Sequence, residues 1–130
     1  MQLELSNKEY RLLLDLVYIG NWVLNSTRGP DRFQSYDLVQ SKVFSLCPAL
    51  SQSLGPLSIP SKAYMEGGIH EAISYYEDNI FYEILAEELS RRDMGYPEIT
   101  DDNYPEIAER MQNYMTEFEN SGVDHLKLEE

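Results

Sequence analysis

Apolar residues recur at helical spacing in four separate segments of this chain, and that period constrains its fold more than any other feature of the sequence. The first segment is announced by Ser6-Asn7-Lys8-Glu9. This fits the capping box, in which the serine hydroxyl accepts from the third amide and the glutamate carboxylate reaches back. Beyond it, Tyr10, Leu13, Leu14, Val17 and Leu24 share one face, and Leu12, Leu16, Ile19 and Val23 fill another. A helix apolar over so much of its circumference is central in a core or shared with a second subunit. Its polar strip holds Lys8, Arg11 and Asp15, with Trp22 on the same side. An exposed tryptophan there would mark an interface made by Trp22, Arg11 and Asp15, whereas one covered by a neighbouring loop would be structural.

Gly29-Pro30-Asp31 breaks the chain, and from about Asp31 a second segment sets Phe33, Tyr36, Val39, Val43, Phe44 and Cys47 on one stripe. The third, Ile69 to Met94, is stopped by Gly95 and then Pro97. Ile69, Ala72, Ile73, Tyr76, Ile80 and Ile84 form one of its stripes, and Phe81, Leu85 and Leu89 a second. The fourth begins near Pro105, places Tyr104, Ile107, Met111, Tyr114, Met115 and Phe118 in line, and ends at Asn120-Ser121-Gly122. The first and third helices are expected to be the most buried. Residues 48–68 are the least regular stretch, but Leu50, Leu54, Leu57 and Ile59 should pack down. Ser61 to Glu66 suits one or two helical turns ended by Gly67-Gly68. Gln2–Leu5 and His125–Glu130 alternate polar and apolar, so they can pair as a short ribbon joining the termini. The expected architecture is therefore all-α: a compact bundle of four main helices, forming a single helical domain over 1–130, with that ribbon as an addition.

The 130 residues suit one core. An apolar fraction of 42% argues for a folded chain despite the net charge of −13. That charge is uneven. Residues 1–65 carry six Lys/Arg against five Asp/Glu, a net +1, whereas 66–130 carry four against eighteen, a net −14. Such a surface repels phosphate backbones and anionic lipid, so neither direct nucleic-acid nor membrane binding is expected, while a basic protein partner is compatible. The one cysteine, Cys47, excludes an intrachain disulfide and reads as a small core residue. With no leader-like start and no apolar run of about 20 residues, the expected compartment is the reducing cytoplasm.

Chemistry-bearing residues are sparse. Glu66 and His70 stand four apart, and Glu83 and Glu87 follow one turn from each other. These are weak metal candidates, because the Glu-x-x-His pairing of carboxylate bundles is absent. Glu83 and Glu87 could act as acid and base if partly buried, although Glu87 can instead pair with Arg91. No nucleophile lies beside a base, and no phosphate-binding glycine pattern occurs. Catalytic residues and cofactors are therefore not assigned, and nothing compels an enzyme. The preferred expectation is a small acidic binding or regulatory protein acting through protein–protein contacts as a homodimer. The alternatives are an acidic inhibitor or decoy of a basic nucleic-acid-binding partner, and a metal-dependent enzyme using carboxylates and histidine.

Overall fold

Ser6 caps the first helix in both directions expected of it: its Oγ accepts from the Glu9 amide at 3.1 Å, and its own amide donates to the Glu9 carboxylate at 3.0 Å. The computed structural model describes residues 1–129 and contains four long helices. These are α1 (Asn7–Asn25), α2 (Gln34–Phe44), α4 (His70–Asp93) and α5 (Tyr104–Ser121). A hairpin of β1 (Ser51–Leu54) and β2 (Leu57–Pro60) follows α2, and a single turn, α3 (Lys62–Tyr64), precedes α4. The protein is thus all-α with one small antiparallel ribbon. Its backbone gathers into two compact units, Met1–Ile73 and the residues from Ser74 onward, and the division falls inside α4. Among the described residues, no helix is long and apolar enough to cross a membrane.

In the first unit, Leu14, Tyr18, Phe44, Tyr64, Ile69 and Ile73 form a buried cluster. Tyr10, Val17, Ile19, Val43, Cys47, Leu50 and Met65 pack around it. Cys47 is therefore a half-buried packing residue, as its place on the stripe implies. The row that α1 actually buries is Leu14, Tyr18, Asn21 and Asn25, so the helix is rotated away from the expected Tyr10-to-Leu24 face.

The ribbon does not join the termini. Its register, Leu54↔Leu57 and Ser51↔Pro60, closes on the two-residue loop Gly55-Pro56. Gly55 has φ +59°, as the first central position of a primed turn requires, and the fixed negative φ of Pro56 selects type II′. A loop this short costs far less entropy to close than the whole length of chain between the termini. Residues 2–5 belong to no strand, His125 sits beside Glu117 at 2.5 Å, and Glu130 lies outside the described residues. The hairpin is held to α2, where the Ser58 amide donates to Ser41 Oγ at 2.8 Å.

Gly67-Gly68 does not end a helix but widens one. Ser61 caps α3, and the chain continues through a π-turn, Met65–Ile69, directly into α4. Gly68 takes φ +110° within that turn, which residues with a side chain rarely adopt.

In the second unit, α5 buries Ile107 and Phe118 and half-buries Met111, Tyr114 and Met115 from the expected stripe, whereas Tyr104 stays exposed. Tyr82 of α4 packs its ring 5.3 Å from Phe118, which in turn stacks on Tyr114 at 6.1 Å. The expectation that the third main helix would be among the most buried is overturned, since Tyr76, Phe81 and Ile84 of α4 are exposed. Apolar residues encircle α4, and one neighbouring element cannot cover opposite sides of a helix. Arg91 pairs with Glu88 at 3.5 Å, three residues before it, and not with the expected Glu87 four before it.

Candidate functional site

The buried row of α1 turns from apolar to polar along its length, and the polar end organises the site. Asn25, only 1% exposed, accepts from the Phe33 amide at 2.8 Å through Oδ1. Its Nδ2 donates to the Phe33 carbonyl at 3.1 Å and to Asn21 Oδ1 at 2.7 Å. Asn21 Nδ2 donates onward to Asp37 Oδ1 at 3.0 Å. Arg32 closes the chain with two bonds to the same carboxylate, Nε to Oδ2 at 3.0 Å and Nη2 to Oδ1 at 2.8 Å. The Arg32 guanidinium, and secondarily the Asn21 amide, hold the Asp37 carboxyl below the usual carboxylate range. This network satisfies the polar groups of a segment that would otherwise leave backbone amides unpaired beside the core.

The π-turn delivers His70 to the adjoining side of α1. His70 Nε2 lies 2.6 Å from Tyr18 Oη, and the imidazole meets Trp22 edge-on at 4.8 Å between ring centroids. Burial raises the Tyr18 phenol above its ordinary range, so it keeps its proton at neutral pH. Farther along α1, Tyr64 Oη donates to Asp15 Oδ1 at 2.7 Å, and Arg11 Nη1 reaches the same oxygen at 2.7 Å. Burial first, and the Asp15 carboxylate second, push the Tyr64 phenol strongly upward.

A cleft of about 280 Å³ opens beside this seam, lined by Tyr18, Asn21, Trp22, Ser26, Arg32 and Gln40. Gln40, 9% exposed, forms part of the lining. Trp22 forms one wall and is 37% exposed. Of the interface candidates, Arg11 and Asp15 are thus committed to each other and to Tyr64, while Trp22 borders the cleft. The weak metal candidates are placed apart in role. Glu66 is exposed near Lys62 Nζ at 3.8 Å, and His70 is engaged with Tyr18. Glu83 is exposed and Glu87 half-buried on α4. Among the described residues, no three His, Cys, Asp or Glu side chains converge as ion ligands would.

Asn21, Asn25 and Gln40 did carry a readable signal. Asn21 and Asn25 extend the row of Leu14 and Tyr18 by the helical steps of three and four, and Gln40 stands one turn before buried Phe44. A search restricted to apolar positions passes over them. Comparison of the chain with protein-family models, curated proteins and solved structures gave no match.

Proposed function

We propose that this chain is a small acidic binding protein that works through protein–protein contacts and self-associates along the outer side of α1. The observation that carries this reading is a stripe of exposed apolar side chains. Leu12, Leu16 and Val23 are 55%, 69% and 71% exposed, and they lie at successive helical steps with half-buried Ile19. The opposite row of the same helix is buried, with Tyr18, Asn21 and Asn25 hydrogen-bonded, so α1 already has its core partner and offers a second face besides. Contiguous exposed apolar surface of this kind is the mark of an interaction site.

A second copy of the chain fits the stripe on grounds of charge. The stripe belongs to the half of the sequence with a net +1, while the −14 resides in the other half. Two copies meeting through α1 therefore bring near-neutral surfaces together. A two-fold contact also presents the same stripe on both sides, which a single apolar helix face supports without further design. Light scattering at micromolar concentration should give about twice the 15.1 kDa chain mass. Leu16→Glu with Val23→Glu should return it to the monomer with its helical circular dichroism intact. A monomeric mass for the unaltered chain would overturn the reading.

A second reading, that the chain caps a basic partner, is favoured by the exposure of Glu71, Glu77, Asp78, Glu83 and Glu88 along α4. Capture through these carboxylates should fall steeply between about 50 and 500 mM salt as screening shortens the reach of the charges. Capture that survives high salt would exclude it.

A further inference from the structure

Gly20 has no reason to be a glycine in the single chain. It stands in the interior of α1, where glycine is roughly fivefold less favourable than alanine in the helix equilibrium. Its φ is not positive, so no turn or strained conformation requires it. Apart from its chain neighbours and its own helical backbone, no described atom lies within 4 Å of the place a Cβ would take. A side chain left out of a helix, with nothing in the chain using the space, points to close approach from outside the chain.

The surroundings of Gly20 indicate what approaches. Leu16, Ile19, Gly20 and Val23 stand at i, i+3, i+4 and i+7, the four corners of the hole that receives a side chain when two helices interlock. Leu16 and Val23 are 69% and 71% exposed, so the hole opens outward, and the glycine corner deepens it. Between Leu12 and Leu24, the flank of the stripe on Gly20's side carries half-buried Leu13 and Leu24 and no charged residue, whereas the opposite flank carries Asp15 and Trp22. A basic or acidic helix would find no complementary charge on the glycine flank. A second α1 fits it, because a two-fold contact lets Leu16 of each copy enter the notch at Gly20 of the other. From this arrangement we infer that two copies of the chain cross at Gly20, with the α1 backbones at the short end of the about 8–10 Å found for packed helices. The inference rests on the reading that α1 self-associates, and adds where the helices meet and how closely.

A crossing at Gly20 makes one substitution act with opposite signs on folding and on association. In the full-length chain, Gly20→Ala should raise the thermal midpoint at concentrations where the chain is monomeric, since alanine favours the helix and meets nothing there. The same variant should weaken self-association about fivefold in a sedimentation dilution series, and Gly20→Leu about a hundredfold, as overfilling a close contact does. Independently of any variant, isotope-filtered nuclear magnetic resonance spectra of mixed labelled and unlabelled chains should show the Gly20 Hα protons in contact with Leu16 methyls of the other copy. A dimer broken by Leu16→Glu with Val23→Glu, yet as tight in Gly20→Ala and Gly20→Leu as in the unaltered chain, would leave the α1 contact standing and strike out the crossing at Gly20 alone. Filtered spectra in which Gly20 touches nothing of the second copy would do the same. A monomeric unaltered chain would end both.

Discussion

Asn25 shows how much a single polar residue can fix in a core of this size. One carboxamide satisfies both the amide and the carbonyl of Phe33, and thereby ties the loop after α1 back onto the helix. Asn25→Ala should cost roughly 2–3 kcal/mol in urea unfolding, because it orphans two backbone groups and the Asn21 carbonyl oxygen together. Asp37 adds a pH dependence of definite sign. Its folded-state carboxyl is held below the ordinary range by Arg32, so its contribution is present above about pH 4. That contribution is lost as pH falls further, through the folded-state value. Asp37→Asn should therefore be less stable than the unaltered protein at pH 7, with the gap closing toward pH 3 in paired urea titrations. Asn25 continues the helical spacing of Leu14 and Tyr18, but a reading of apolar positions alone passes over it. An asparagine at a helix end before a Gly-Pro break reads as a turn former, and only the tertiary contacts with Phe33 and, through Asn21, with Asp37 give the row its buried direction.

At the scale of elements, local signals were legible where the physics is local. The capping box of α1, the stop of α4 at Gly95 and the single stripe of α5 all depend on residues within a few positions of one another. The hairpin was hidden for a related reason: four-residue strands rich in serine give little periodic signal. The entry to α4 depends on backbone freedom at one position. Gly68 at φ +110° lets the chain bulge by one residue and still hand His70 to Tyr18. A Cβ at Gly68 would meet no atom within 4 Å, so Gly68→Ala should lose about 1–2 kcal/mol through backbone strain alone. Gly67 has an equally open position but an ordinary φ of −85°. Gly67→Ala should be neutral or gain up to about 1 kcal/mol by restricting the unfolded chain. Thermal melts of the two variants side by side test the assignment, and equal losses would contradict it.

For the whole molecule, the balance between an apolar stripe and a large net charge determines how association responds to salt. A chain of −13 that pairs with a copy of itself must overcome repulsion between the two, even though the −14 half lies away from α1 in sequence. Added salt screens that repulsion over about 10 Å or less and leaves apolar burial intact. Self-association through Leu12, Leu16 and Val23 should thus tighten as ionic strength rises from about 20 to 300 mM, whereas attraction between acidic α4 and a basic protein should weaken over the same range. The opposite signs make one sedimentation series decisive between the two kinds of contact. A dimer that dissociates with salt would have to be held by ion pairs, and the Arg11, Arg28 and Arg32 side chains of the first unit are already paired within the chain to Asp15, Asp31 and Asp37. Such a result would move the contact off the α1 stripe altogether.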